Sequence, residues 1–365
     1  MNDSMDSGAR TPIMVPAQPK VAMRFSSCLP KVEFVMKTVL KAAAGLVVVL
    51  VVVAAGIYGW ASMKDRALLA RTIETHSVDF PIPIPLTEAE IAELSQANGN
   101  GDALAGLDLD ALARARAVER GDHLVHARYG CVECHGQNFG GGVMVDDPML
   151  GRLLGPNISA GPGGRTATYT AADWDRIVRH GVRSDGRPAA MPSSDYQRMS
   201  DQELSDVVAY IRSQPVVDNA VPPVTLGPLG KILMATGNLP LSADMIADHQ
   251  SAHAVAPPAP EVTAEFGAHL AGVCSGCHGE DFAGGPVVGG DPSWPPAANL
   301  TSAGSLSGWT QEQFAALLRT GKRPDGTEVM EPMSWMMPYA NRMTDTEVAA
   351  LWTYLGTVPA AETPR

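Results

Sequence analysis

Nineteen consecutive residues, Ala42 to Trp60 (AAAGLVVVLVVVAAGIYGW), carry no charge, close to the roughly 20 a helix needs to cross a hydrocarbon layer. This pattern predicts one retained span over residues 38–61, with Tyr58 and Trp60 where an interfacial aromatic belt would lie. A cleavable signal segment competes with that reading, because Ala-Ser-Met follows, but the apolar run is longer than a usual signal core. Residues 1–37 are polar, rich in Pro and Met and without a period. They predict a disordered cytoplasmic tail, or a start site set upstream of the true one at Met36. Much later, Ser200–Ser213 and Thr344–Leu355 each open on Ser or Thr with Glu three positions on and then place apolar residues at helical spacing. Both predict an amphipathic helix behind a capping box.

Between these elements the chain repeats itself. YGCVECHGQNFGGG matches AGVCSGCHGEDFAGG, GPNISAGPGG matches AANLTSAGS, YTAADWDRIVRHGVRSDGRP matches GWTQEQFAALLRTGKRPDGTE, and RMSDQELSDVVAYIRSQP matches RMTDTEVAALWTYLGTVP. Four blocks in one order predict a duplicated domain over residues 115–216 and 262–360. Residues 62–114 read as a tether in which DFPIPIPLT (79–87) is an extended, semi-rigid spacer, with NGNGD (98–102) interrupting helix formers on either side. The Pro- and Ala-rich segment 217–261 reads as a linker.

Composition sharpens this picture. Aromatic residues make up only 5% of the 365, against 36 glycines and 29 prolines. Cores so short of rings must be filled by something else, and a large apolar cofactor would do it. Residues 1–41, up to the uncharged run, carry six Lys/Arg against three Asp/Glu, which predicts that this flank stays in the cytoplasm and that the rest is exported. The exported part, with 21 basic and 36 acidic residues, has a net charge of −15. That argues against nucleic acid as a partner and favours a basic docking surface on another protein, or simply a well-solvated acidic surface.

Four of the five cysteines lie in CVECHG (Cys131–Gly136) and CSGCHG (Cys274–Gly279). Cys28 follows no apolar stretch and does not read as a lipid attachment site. Cys-x-x-Cys-His is the attachment pattern of c-type haem: two thiols on one turn add to the porphyrin vinyl groups, and the adjacent imidazole faces the iron. A redox dithiol needs no histidine and no duplication, and a zinc site would leave each repeat incomplete. The cofactor-binding residues are therefore Cys131, Cys134, His135, Cys274, Cys277 and His278, holding two covalently bound haem c groups.

With these motifs, GPNI, NLT, MSDQEL and MTDTEV, residues 115–360 resemble the two-haem members of the class I cytochrome c family, membrane-anchored electron-transfer proteins of bacteria. The resemblance implies an all-α fold of two tandem cytochrome c-like domains after a single transmembrane helix. It also implies a second iron ligand, a methionine from the loop before each last helix. Met191, in Met-Pro, matches the family signature in the first copy; Met199 and Met343 read as packing residues. In the second copy Met337 has the Met-Pro dipeptide, and Met333, eight residues after Asp325, is the runner-up. In the family the proximal imidazole is oriented by a proline carbonyl, which maps onto Pro156; in the second copy Ala298 stands there instead. His123, His126, His180 and His269 read as solvent-facing, and Trp174 and Trp309, taken as equivalent, as packing on the haem edge with an indole available to a propionate.

The function this implies is an electron carrier rather than an enzyme. Its place is the bacterial inner membrane, with the haem domains on the periplasmic side, passing electrons between donor and acceptor proteins such as a dehydrogenase or terminal oxidase. The alternative is a two-haem enzyme with an open iron position, peroxidase-like or thiosulfate-oxidising. Cysteine ligation of the iron is ruled out there, since all four exported cysteines are consumed in attachment.

Overall fold

The structure, a computed structural model, describes residues 29–97 and 106–364; most of the expected N-terminal tail, Cys28 and the NGNGD stretch lie outside them. Helix α1 (Leu29–Ala70) contains the apolar run, and its segment Phe34–Ala70 is long and apolar enough to cross a membrane. Leu46 to Val53 are all exposed, as befits a helix that is apolar all round and meets lipid rather than a protein core. The helix overruns residues 38–61 at both ends, because Lys64, Arg66 and their neighbours end the hydropathy without ending the helix propensity.

The chain from Gly56 onward forms a second compact unit, which contains both repeats. After α2 (Glu88–Ala97) in the tether, the first has α3 (Leu109–His123), a wider π-helical turn over Leu124–Tyr129, α4 (Cys131–His135), α5 (Ala171–Arg179) and α6 (Asp201–Ser213). A small antiparallel sheet, β1 (Gly142–Asp147), β2 (Gly151–Gly155) and β3 (Thr225–Leu226), is an addition to the expected all-helical fold. Residues 217–261 hold α7 (Pro228–Thr236) and α8 (Ser242–Met245), with Met234, Leu241, Ala243 and Ile246 buried, so this linker is folded onto the protein. The second repeat has α9 (Ala264–Ala271), α10 (Ser275–His278), α11 (Gln311–Thr320), α12 (Met333–Ala340) and α13 (Asp345–Leu355).

Each repeat crosses its first helix over its last at a glycine. A Cβ at Gly121 would collide with the Asp206 carbonyl of α6, and one at Gly267 with the Ala350 carbonyl of α13. Both expected capping boxes form, Ser200 with Glu203 and Thr344 with Glu347. Two separate cores result. One surrounds Val125, Phe139, Trp174, Met199 and Leu204; the other surrounds Phe266, Phe282, Phe314 and Leu351.

The proline tether is not a free spacer. Phe80 and Ile82 pack against the first core, and the Ile84 amide donates to Ser205 Oγ at 2.9 Å. Apolar residues alternating with proline give the strand a sticky face, and burial on the nearest core outweighs extension into solvent.

Candidate cofactor sites

The first motif enters through Gly130, whose left-handed backbone (φ 59°) turns the chain from the π-helical segment into α4. His135 is 9% exposed, and its Nδ1 donates to the Pro156 carbonyl at 2.9 Å. In the second copy His278 Nδ1 donates to the Ala298 carbonyl at 2.7 Å. A ring nitrogen facing a carbonyl must carry the proton, so both Nε2 atoms keep a lone pair for an electrophile. Burial lowers the pKa of both imidazoles against the opposing pull of these carbonyls, which keeps them neutral.

Each proximal loop is tied down by its asparagine. Asn157 Nδ2 donates to the Val217 and Asn219 carbonyls while its Oδ1 accepts from Ser159; Asn299 repeats this with Ala361, Thr363 and Thr301. The signals GPNI and NLT thus fix the chain that follows each last helix to the loop that orients each histidine.

The four motif cysteines are free thiols. Burial pushes Cys131 and Cys274 up to about 12 and Cys134 up to about 11, and raises Cys277. A redox dithiol works through a depressed thiol pKa, so this environment argues against disulfide exchange. Trp174 is buried, yet its Nε1 donates to nothing among the described residues. Buried indole donors are normally satisfied, and a porphyrin propionate would complete it. These donor sets fit two haem groups, which supply a one-electron iron couple when bound.

Trp309 is not the partner of Trp174. Trp174 is the fourth residue after the capping Thr170, and the fourth after the equivalent Thr310 is Phe314. Trp309 corresponds to Tyr169, so the second repeat has no indole donor at this position. Sequence reasoning matched residue types where the capping boxes fix the register.

The expected solvent-facing histidines are elsewhere. His180 is fully buried. His123 meets Glu347 at 2.9 Å and His269 meets Glu203 at 2.8 Å, each reaching from one repeat to the other. His126 is half-buried beside Tyr210 and Asp122. His123 and His269 face the other copy of the fold, which periodicity within one helix does not reveal.

Met191 packs on the first core together with Cys131, and Met333 on the second together with Cys274. Met337 lies one turn further along α12, its Sδ 3.6 Å from a Cβ built on Gly321. The same construction on Gly181, the equivalent glycine, meets Ser193, two residues beyond Met191. Between this glycine and the last helix the second repeat has four extra residues, one helical turn, which is why it offers two thioethers on one face. Met199 and Met343 pack in the cores as expected.

The two motif regions lock onto each other. Tyr339 of the second repeat is buried in the first core, lies against Gly130 and donates from Oη to Glu133 Oε2 at 2.7 Å. Reciprocally, Asp195 of the first repeat rests on Gly276 within CSGCH, where a Cβ would lie 2.5 Å from its Oδ1. Arg128 donates to Glu347 at 2.6 Å and to Glu203 at 3.0 Å. Burial alone would raise Glu347, but the His123 hydrogen bond and the Arg128 charge pull it down to about 2.

Two covalent-haem sites in tandem helical units define a two-centre c-type cytochrome. The family model for cytochrome c matches residues 118–215 and 264–359, and the chain belongs to that family. It is 28% identical over 277 residues to the cytochrome c subunit of the quinone alcohol dehydrogenase of Komagataeibacter europaeus, covering 68% of this chain and 57% of that one. To the fructose dehydrogenase cytochrome subunit of Gluconobacter japonicus it is 27% identical over 272 residues, 68% and 54% of the two chains. To a diheme cytochrome c-type protein of Cereibacter sphaeroides it is 28% identical over 269 residues, 67% and 86%. The chain spans little more than half the length of the dehydrogenase subunits it matches.

Proposed function

We propose that this chain is a membrane-tethered two-haem electron carrier, the cytochrome subunit of a membrane dehydrogenase, with its haem domains on the extracytoplasmic side. The reciprocal seating of Tyr339 on the first motif and Asp195 on the second carries this reading. It ties each attachment turn to a residue of the other repeat, which supports electron passage from one haem to the other within the chain. The helix α1 keeps the pair at a membrane surface, where a reduced quinone or a dehydrogenase supplies electrons. The relatives named as alcohol and fructose dehydrogenase subunits support the dehydrogenase as partner.

Within this reading Met191 and Met333 would supply the thioether donors that hold the two haem irons together with His135 and His278. Packing beside the first cysteine of each motif supports Met333, while Met337, one turn away, keeps the Met-Pro dipeptide. Thioether ligands raise the potential relative to a second imidazole, as a carrier delivering to an oxidase requires. The oxidised protein should show the weak charge-transfer band near ~695 nm of Met-ligated ferric haem. Met191→Leu and Met333→Leu should each remove about half of it, and Met337→Leu none. A high-spin spectrum in the unsubstituted protein that binds cyanide or peroxide would instead establish an open iron and the enzyme reading.

A further inference from the structure

Away from both haem sites, four side chains from three distant parts of the chain converge beside α5. They are His76 from the segment after the membrane helix, Asp175 and His180 from α5 and its end, and His253 from the segment between the repeats. One ligand atom of each lies within 4.8 Å of the others. We propose that they form a binding site for one divalent cation of the zinc class, which staples the tether and the linker to the first haem unit.

The distances suit a tetrahedral centre. His180 Nε2 stands 3.3 Å from His253 Nε2 and 3.6 Å from Asp175 Oδ2, and His253 Nε2 is 3.9 Å from Asp175 Oδ1. Zinc with ligand bonds of 2.0–2.1 Å sets its ligand atoms about 3.3 Å apart.

The hydrogen-bond network leaves lone pairs where the ion would sit. His249 Nε2 faces the Ala243 carbonyl at 3.0 Å and must donate to it, so His249 Nδ1 accepts from His180 Nδ1 at 3.1 Å. His180 Nε2 is then unprotonated. His253 Nε2 stands 3.3 Å from that bare nitrogen, so a cation seated between them would take a lone pair from each ring. Asp175 Oδ2 and both nitrogens of His76 are buried and without hydrogen-bond partners among the described residues. A cation would take one lone pair from each of the four side chains, one nitrogen of His76 included.

Charge permits it. The guanidinium of Arg179 is shared by Asp175 and Asp201, so one negative charge remains uncompensated beside the four ligands. The backbone already presents His76: its amide donates to the His249 carbonyl at 2.8 Å, the Ile73 amide to Gly186 at 2.9 Å, and Gln250 to the Glu74 carbonyl at 2.8 Å. The second repeat has Ala315 and Thr320 where the first has Asp175 and His180, so the fold itself does not require the cluster.

The test uses the full-length, detergent-solubilised protein with both haems attached, incubated with zinc sulfate, gel-filtered in chelator-free buffer and analysed for metals. One zinc per two irons is the expected result. His76→Gln and His253→Gln should each retain at least about tenfold less, with haem content and the ferrous spectrum unchanged as evidence of folding. Zinc K-edge absorption should report nitrogen and oxygen neighbours. Absence of retained zinc in the unsubstituted protein, undiminished zinc in both variants, or sulfur neighbours would overturn the proposal. None of these readouts depends on the dehydrogenase assignment.

Discussion

The two repeats share every device that orients a proximal histidine, but they differ in how the rest of the chain holds them. The first is wrapped: the tether residues Phe80 and Ile82 pack on its core, and α8 and the histidine cluster close over α5. It also supplies Arg128, the cation that reaches both interdomain carboxylates; its counterpart in the second repeat is Ala271. The second repeat is barer. His278 is less buried than His135, and Met330, Trp335 and Met336 are exposed near its methionine helix. Duplication thus produced one unit built into the tether and another that leans on the first through Tyr339 and Asp195. Exposed apolar side chains lie on both units, Val143, Met144 and Met149 on the first and Met330, Trp335 and Met336 on the second.

The strongest way to break this asymmetry is Arg128→Ala. The substitution removes the guanidinium shared by Glu203 and Glu347, both 3% exposed at the side chain, and leaves each carboxylate to one histidine across the repeats; two hydrogen bonds to charged groups are lost, at roughly 1.5–3 kcal/mol each. Denaturant unfolding followed at the haem bands should show the midpoint fall and the transition split into two. A change below about 0.5 kcal/mol would mean that the lock is ornamental.

Acid should open the same lock more gradually. Glu347 has a folded-state pKa depressed from 4.5 to about 2, so its contribution is complete above about 4.5 and fades as the pH falls toward 2. The shift corresponds to roughly 3 kcal/mol before other groups are counted. Stability measured across that window should drop, and Glu347→Gln should flatten the profile.

The smallest expected effect separates the two haem pockets. Trp174→Phe removes the buried indole donor that has no partner among the described residues and leaves the first copy resembling the second at Phe314. A propionate without its donor stabilises ferric iron, so the potential of the first centre alone should fall, on the order of tens of mV. Spectroelectrochemical titration that resolves the two centres measures it.

Much of this was legible in the sequence because it is local. CxxCH, the capping boxes at Ser200 and Thr344, the GPN loop and the span are each set by neighbours a few positions apart. The rest depends on what packs against what. His180 and His253 are 73 positions apart, and nothing in RHGVRSDG or SAHAV marks them as neighbours. The proline strand 79–87 has spacer composition, yet its apolar side chains found a core. The choice between Met333 and Met337 turns on one inserted helical turn, which places both on the same face and removes spacing as a guide.

The central claim is that the two haem units act as one locked pair. Flash photoreduction of the half-reduced protein, with equilibration between the two centres followed at several protein concentrations, tests it most directly. A rate independent of concentration, and slowed in Arg128→Ala, is the predicted result. A rate that rises in proportion to concentration would mean that electrons pass between molecules and not within one, and would contradict the account.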